Sequence, residues 1–199
     1  MVAVGSSVLD VGCGAGELLE RLSRDKHVRG QGIETDERAI YECVAKGFSV
    51  FHDELEKGLA EYADKTFDYV ILSGSFPKVK SPDSLIANAL RVGRKVVAGF
   101  PNFSHYTVRF QVFFLGMTPV TSSLPYQWYD TPNMHFLGVS DFRHYCRKKR
   151  ITIEKTEYFG SRGRVYLFPN LFAEKALFLI NAGSHTPVSS EQSHIMKRA

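Results

Sequence analysis

The sequence predicts an α/β fold, with a mostly parallel sheet covered by helices on both faces. In the first half of the chain, short apolar runs alternate with amphipathic helical segments, a pattern typical of doubly wound sheets. The run FDYVILS at 67–73 is apolar almost throughout, as expected for a central strand that is buried on both faces. A glycine-rich turn follows the first apolar run, where such folds bind nucleotides.

The individual elements follow from hydrophobic periodicity and from the residues at element ends. Strands are expected at 7–11, 27–34, 48–52, 67–73, 94–100, 151–158 and 164–168, the last two forming an antiparallel pair at one sheet edge. Helices are expected at 17–25, 37–46, 81–91, 104–115, 140–149 and 171–180. Asp36 is expected to cap the second helix, and Gly116 to end the fourth.

Length and composition indicate one soluble globular domain, expected to span residues 1–182, with a polar, disordered tail at 183–199. The 199 residues are 44% hydrophobic and 23% charged, and the net charge of +4 gives no reason to expect nucleic acid or membrane partners. No apolar run approaches the ~20 residues of a membrane span, and the N-terminus lacks the pattern of a signal peptide. We therefore expect a cytoplasmic protein.

The three cysteines, Cys13, Cys43 and Cys146, are far apart and show no C-x-x-C spacing. This argues against a metal site or a disulfide framework and fits a reducing compartment. Cys13 lies inside the glycine turn, beside backbone N–H groups that can lower a thiol pKa. Because the sequence places no base beside it, we interpret Cys13 as a small residue packed beneath a bound cofactor.

The glycine turn reads Asp10-x-Gly12-x-Gly14-x-Gly16, which differs from the G-x-G-x-x-G turn that binds a pyrophosphate. A carboxylate at Asp10 would repel a pyrophosphate but can accept hydrogen bonds from an ammonium group. S-adenosylmethionine (SAM) has an ammonium group, a sulfonium and no phosphate. The spacing therefore favours a SAM site, and the alternative is a tight strand–helix turn without a ligand.

Acidic residues follow the second and third predicted strands. Glu34 lies twenty residues after Gly14, the distance at which an acid meets a ribose diol, and Thr35 is expected beside it. Asp53 or Glu54 is expected to meet the adenine amino group, and the backbone at Leu55 a ring nitrogen. The alternative is that these acids are solvated turn residues. Ser73 ends the fourth strand and is expected to face the methionine half of the cofactor.

Residues 101–139 form an aromatic segment that we interpret as a cap or acceptor-side insertion. Its candidates for an acceptor or partner site are Tyr106, Tyr126, Trp128, Tyr129, Asp130, Asn133 and His135. Asp130 or His135 has the chemistry of a general base, while packing inside a cap is the alternative for the aromatics. The phenylalanines of 104–115 are expected to be core, and the basic run 143–150 a solvated helix face.

The segments VLDVGCGAGELL, FDYVILS, LRVGRKVVAGFPNFSHYTVRFQ and MTPVTSSLPYQWYDTPNMHFLGVSDF resemble the MetW family over residues 7–158. This is a class I methyltransferase-like group associated with methionine biosynthesis. The resemblance implies a Rossmann-like, seven-stranded fold that binds SAM or S-adenosylhomocysteine (SAH). It also implies homoserine O-acetyltransferase as a partner, but it names no methyl acceptor and no catalytic residue.

The chain departs from the family pattern at three places. The family usually has a longer segment before the first strand, and the first Asp of its D-L-D pattern falls on Glu54. Where the family has Gln-Thr-Leu-Gln, this chain has Gly74-Ser75-Phe76-Pro77. Two hypotheses stay open: an accessory protein that supports homoserine O-acetyltransferase, and an active SAM-dependent methyltransferase. The glycine spacing and Asp10 exclude a nicotinamide oxidoreductase.

Overall fold

The computed structural model describes residues 1–183, in which eight strands form a single sheet with the order β3-β2-β1-β4-β5-β8-β6-β7. The strands are β1 (Ser7–Val11), β2 (Arg29–Glu34), β3 (Ser49–His52), β4 (Phe67–Ser73), β5 (Gly93–Pro101), β6 (Ile151–Gly160), β7 (Gly163–Arg164) and β8 (Lys175–Ala182). The first five strands pair in parallel, whereas β8 runs antiparallel to both β5 and β6. The mostly parallel sheet with an antiparallel edge is thus confirmed.

Helices connect the strands. They are α1 (Glu17–Lys26), α2 (Glu37–Ala45), α3 (Leu55–Ala60), α4 (Pro82–Val92), α5 (Tyr106–Phe110), α6 (Val139–Lys148) and α7 (Pro169–Phe172). A short 3₁₀ turn spans Phe76–Lys78, and α5 continues into a π-helical turn at Gln111–Leu115 that Gly116 ends with a φ of 62°. Asp36 caps α2 as expected, because its side chain accepts from the N–H groups of Arg38 and Ala39.

The core consists of two apolar layers, one on each face of the sheet. Alternate residues of a strand point to opposite faces, so Val8 and Leu9 of β1 belong to different layers. Leu19 of α1 and Cys43 of α2 pack on the face of Val8. Residues of α3, α4 and α6 pack on the face of Leu9. Helices therefore cover both faces, as the sequence predicts.

The order of the strands places a crevice beside β1. The chain begins at β1, moves outward through β2 and β3, and then returns to add β4 and β5 on the other side of β1. Neighbouring connections diverge at this switch point, so the carboxyl ends of β1 and β4 border an open space. This edge is where ligands bind in open α/β sheets.

The predicted helix at 171–180 is wrong, because most of that run forms β8. β8 inserts between β5 and β6 and buries Phe178 and Ile180 completely. A short apolar run that is buried on both faces has no periodicity to separate strand from helix. Its neighbour also accommodates a strand: Gly99 of β5 faces Leu177, and a Cβ on Gly99 would approach that side chain to 2.7 Å.

Three further expectations need correction. Of the predicted strand 164–168, only Arg164 pairs in the sheet, together with the preceding Gly163, and Phe168 turns the chain into α7 with a φ of 44°. The phenylalanines of 104–115 are not core, because Phe110, Phe113 and Phe114 are exposed and no other element within residues 1–183 covers them. Eight strands replace the expected seven. The predicted tail at 183–199 lies outside the described residues, apart from Gly183.

Asn102, in the FPNF segment after β5, joins three parts of the chain and is completely buried. Its amide nitrogen donates to the carbonyl groups of Pro169, Asn170 and Ala173, at 2.7–3.4 Å. Its side-chain oxygen accepts from the N–H groups of Ser104 and Val139. The side chain therefore fixes the start of the aromatic segment to the start of α6 and to α7.

We expect Asn102→Ala to lower the free energy of unfolding by about 2–4 kcal/mol, because several buried backbone groups lose their partner at once. Asn88→Ala, in a partly exposed position on α4, is the matched control and should change stability by less than about 0.5 kcal/mol. Urea denaturation followed by circular dichroism measures both values. Equal effects of the two substitutions would contradict the role assigned to Asn102.

Candidate cofactor cleft

A cleft of about 500 Å³ lies at the carboxyl ends of β1, β2, β3 and β4. Its lining residues are Gly12, Glu34, Thr35, Glu54, Leu55, Glu56, Ser73, Gly74, Ser75, Lys78, Val79, Lys80 and Met134. They come from the glycine turn, the ends of three strands and one residue of the aromatic segment. The structure thus brings together six of the residues that the sequence predicts for the cofactor: Gly12, Glu34, Thr35, Glu54, Leu55 and Ser73.

The glycine turn needs its glycines for backbone conformation and for space. Gly12, Gly14 and Gly16 all have positive φ angles, between 54° and 80°, which side chains disfavour. A Cβ on Gly12 would also approach the Cβ of Ser75 to 3.2 Å. The N–H groups of Gly12 and Cys13 both donate to the Ile33 carbonyl, at 2.8 and 3.2 Å, which holds the turn against β2.

Glu34 ties the end of β2 to the glycine turn. Its Oε2 accepts the N–H of Gly14 at 2.8 Å, and its Oε1 accepts the N–H groups of Thr35 and Asp36 at 2.7 and 3.1 Å. Burial acts to raise the pKa of Glu34, but the N–H groups of Asp36, Thr35 and Gly14 outweigh it and lower the pKa below its ordinary value. The carboxylate is therefore charged and fixed in place.

Asp10 is a buried acid, 3% exposed, at the end of β1. Burial, followed by repulsion from the Glu34 carboxylate, raises the pKa of Asp10 to about 7. A carboxylate in this position is stabilised by any cation that enters beside it. Asp10 does not itself line the cleft, and with this pKa it is partly protonated at neutral pH.

Cys13 and Cys43 are buried together beneath the turn. The Cys13 thiol packs against β2, where a Cβ on Gly32 would collide with its sulfur. Burial, with smaller effects of Cys43 and Asp10, raises the pKa of the Cys13 thiol far above its ordinary value. The thiol is therefore protonated, which agrees with a packing role for Cys13 and not with a nucleophile.

The two acidic residues after β3, Asp53 and Glu54, differ in their position relative to the cleft. Glu54 lines the cleft and pairs with Lys57 at 3.1 Å, whereas Asp53 lies outside the lining and accepts the N–H of Glu54 at 2.7 Å. Leu55 begins α3 and lines the cleft beside Glu54. The geometry therefore favours Glu54 over Asp53 as the acid that faces a ligand.

The predicted acceptor-side residues do not converge on this cleft. Tyr126, Trp128 and Asn133 line a separate cavity of about 180 Å³, together with Phe103 and Phe136. The other candidates lie elsewhere: Tyr129 packs edge-on against Trp128, Tyr106 contacts His105 and Phe172, and Asp130 donates its N–H to the Gln127 carbonyl. These residues form no single acceptor site in the structure.

His135 holds the aromatic segment against the cleft. Its ring Nε2 lies 3.1 Å from the Val79 carbonyl, so this nitrogen donates, and the N–H groups of Met134 and His135 both donate to the Pro77 carbonyl. His135 itself does not line the cleft. Its observed role is to attach residues 134–135 to the segment after β4.

Sequence reasoning missed six residues of the cleft: Glu56, Ser75, Lys78, Val79, Lys80 and Met134. The first follows the carboxyl end of β3 and the next four follow that of β4, positions that ligands favour in such sheets. These positions are the available signal for them. The last comes from a loop without periodicity, so no local pattern predicts its place.

Residues 1–183 contain no helix with the length and apolar character that a membrane crossing requires. In the same part of the chain, no group of three His, Cys, Asp or Glu side chains is arranged to hold a metal ion.

The pattern of the family described as methionine biosynthesis protein MetW matches residues 1–180. The chain belongs to the MetW family. A curated relative, the bifunctional methionine biosynthesis protein MetXA/MetW of Rhodopirellula baltica, is 31% identical over 191 residues. The match covers 89% of this chain but 30% of the relative, so the MetW chain spans about a third of that protein's length.

Solved structures show which fold this MetW protein shares. A SAM-dependent methyltransferase from Thermotoga maritima has a TM-score of 0.64 and 14% identity, covering 91% of this chain and 84% of its own. The [4+2]-cyclase SpnF has a TM-score of 0.63 and 16% identity, with coverage of 92% and 77%. The MetW chain therefore has the class I methyltransferase fold, which proteins of different reported activities share.

The buried Asp10 gives this protein a specific dependence of stability on pH. Its folded pKa of about 7 lies above the unfolded value near 3.9, so the folded state binds more protons between these values. The contribution of Asp10 to stability therefore falls as pH rises from about 4 to about 7. We expect Asp10→Asn to gain stability relative to wild type across this range, by up to roughly 4 kcal/mol at ~1.4 kcal/mol per pKa unit.

Urea denaturation of wild type and Asp10→Asn at several pH values between 4 and 8 measures this difference, in which other titrating groups cancel. Parallel stability profiles for the two proteins would show that Asp10 titrates at its ordinary pKa in the folded state.

Proposed function

We propose that this MetW protein binds SAM or SAH in the cleft and acts in methionine biosynthesis by binding and supporting homoserine O-acetyltransferase. The observation that carries the first part is the convergence of Gly12, Glu34, Glu54 and Ser73, from four separate connections, on one cleft. Such convergence at the carboxyl ends of strands, beside the switch point, is the usual arrangement of a nucleoside site.

The chemistry of the cleft residues fits the parts of SAM. In Glu34, Oε1 already accepts three donors, whereas Oε2 accepts the Gly14 N–H alone and retains capacity for a ribose hydroxyl. Glu54 lines the cleft, and its carboxylate would accept a hydrogen bond from the adenine amino group. Asp10 lies behind the turn, where a ligand's ammonium group would favour its charged form.

The fit also depends on room at the glycine turn. Because Gly12 has no side chain, its backbone can approach a ligand directly, and a Cβ there would fill the space beside Ser75. When bound, SAM would supply a sulfonium-linked methyl group. The chain's own residues would bind and orient the nucleoside and neutralise the ammonium group.

The second part of the proposal rests on the relative and on an exposed surface. The name of the Rhodopirellula baltica relative joins MetXA and MetW in one bifunctional chain, and MetX is a homoserine acetyltransferase. In the present chain the aromatic segment exposes large apolar side chains: Tyr106, Phe110, Phe113, Phe114, Leu115, Met117, Trp128 and Tyr129. Such exposure is typical of protein interaction sites. We assign the partner to these residues, named here the aromatic surface.

Methyl transfer is the second hypothesis, and the geometry gives it less support. It would place a general base beside the cofactor, yet neither Asp130 nor His135 lines the cleft. The shared fold does not decide the question, because SpnF, with the same fold, is reported as a cyclase.

The cofactor proposal is tested by isothermal titration calorimetry with SAH. We expect Glu34→Ala to weaken binding at least about tenfold, since the ribose loses a charged acceptor and the glycine turn loses its tie to β2. Glu54→Gln should weaken binding severalfold, whereas Asp53→Asn, the adjacent matched control, should bind like wild type.

Wild-type protein that gives neither heat nor a thermal shift with SAH would contradict cofactor binding. Equal losses in Glu54→Gln and Asp53→Asn would contradict the assignment of the adenine side to Glu54.

The partner proposal is tested by co-purification with homoserine O-acetyltransferase from the same organism and by assay of that enzyme with and without the present protein. We expect Phe113→Ser, at a side chain 81% exposed, to reduce capture severalfold, because an interface anchor loses its apolar area. Tyr41→Ser on α2, at a side chain 74% exposed, is the matched control.

If the wild-type protein binds and Phe113→Ser leaves both capture and acetyltransferase activity unchanged, the interface lies outside the aromatic surface. Absence of binding by wild type would refute the partner proposal.

A further inference from the structure

Ser75 is a buried hydroxyl without a partner on the wall of the cleft. The side chain is 5% exposed, and its Oγ is the one buried side-chain polar atom within residues 1–183 that makes no hydrogen bond. Burying a hydroxyl without a partner costs free energy. Such an atom beside an open cleft is therefore placed for a ligand that supplies the missing hydrogen bond.

Two positively charged side chains lie on the same wall of the cleft. Lys78 and Lys80 line the cleft, and neither makes a salt bridge with another described residue. The three glutamates of the cleft have other partners. Glu34 accepts backbone N–H groups, Glu54 pairs with Lys57, and Glu56 accepts the N–H of Ser81 at 3.3 Å. None of the three carboxylates forms an ion pair with Lys78 or Lys80, so both ammonium groups are available to bind an anion.

The wall is held in place from both sides. The Lys78 N–H donates to the Ser75 carbonyl at 3.0 Å, which closes the 3₁₀ turn. The aromatic segment donates to the Pro77 carbonyl through two N–H groups and to the Val79 carbonyl through His135. A backbone fixed in this way lowers the entropy lost when its side chains bind a ligand.

We propose that Ser75, Lys78 and Lys80 form a carboxylate subsite of the cleft. A carboxylate accepts hydrogen bonds from a hydroxyl and from ammonium groups, and charge-assisted bonds of this kind are the stronger ones. This assignment rests on the proposed cofactor cleft and deepens it. It also uses residues at which the chain departs from the family pattern, since Ser75 falls in the segment that is usually Gln-Thr-Leu-Gln.

The carboxylate has two possible sources, the amino-acid end of the cofactor itself or a separate amino-acid ligand. Three probes distinguish them by calorimetry: SAH, its decarboxylated analogue, and L-homoserine added to SAH-saturated protein. The variant is Lys78→Met combined with Lys80→Met. The control, Lys148→Met, removes a positive charge from α6 instead.

If the cofactor supplies the carboxylate, the double variant weakens SAH binding about tenfold or more and leaves the decarboxylated analogue unchanged. If a separate ligand supplies it, both nucleosides bind the double variant normally, and L-homoserine binds SAH-loaded wild type but not the variant. Lys148→Met should match wild type with every probe. A double variant that matches wild type with all three probes overturns the subsite.

Ser75→Ala separates a ligand contact from a structural role. As a ligand contact, the substitution weakens the affected probe severalfold while the melting temperature stays equal or rises, because a buried unpaired hydroxyl has been removed. A lower melting temperature with unchanged binding overturns the role of Ser75.

Failure of the cofactor proposal gives a different result, namely wild type that does not bind SAH. L-homoserine is then titrated into ligand-free protein. Binding that is lost in the double variant supports the subsite without the cofactor, and no binding overturns it.

Discussion

The hydrogen bond from the Gly14 N–H to the Glu34 carboxylate is the interaction on which the candidate cleft depends. It joins the glycine turn after β1 to the end of β2, at 2.8 Å. The turn can adopt this shape because Gly12, Gly14 and Gly16 all take positive φ angles. Without this contact the turn would lose its fixed distance from Glu34, the acid that we assign to the ribose. The same carboxylate also helps to raise the pKa of Asp10, so it shapes both the geometry and the charge of the site.

The sequence predicts the parts of the fold in which local pattern and tertiary structure agree. Phe67–Ser73 is found as predicted, since an apolar run of 7 residues has the length of a strand and is short for a helix. Asp10 to Gly16 carries its own turn geometry. The run that forms β8 is equally apolar, and its identity is decided by the space between β5 and β6, which no local pattern encodes. The fold was therefore predictable except where a strand depends on neighbours that are distant in sequence.

The candidate site divides in the same way. Glu34 ends a strand, so its place in the cleft could be predicted from the order of elements, whereas the choice between Asp53 and Glu54 required the structure. Ser75 also follows a strand end, but it became a candidate ligand contact only through its buried hydroxyl, which has no hydrogen-bond partner in the structure. The prediction for Phe113 was wrong because a phenylalanine is usually a core residue. Only the structure shows that Phe113 is exposed.

The cleft and the aromatic segment are mechanically joined, although their predicted residues do not form one site. Residues 134–135 donate three hydrogen bonds to the segment that carries Lys78 and Lys80. The aromatic segment, to which residues 134–135 belong, also contains Trp128 and Tyr129, which are exposed at the aromatic surface. Coupling between two sites requires an element whose arrangement both ligands affect, and it is reciprocal in free energy. Under the proposed function, a ligand at Lys78 and Lys80 and a partner at the aromatic surface would bind two parts of one hydrogen-bonded unit. Any change in affinity that one causes at the other site would then be reciprocal. In the accessory hypothesis this connection, and not methyl transfer, would link the cleft to the enzyme.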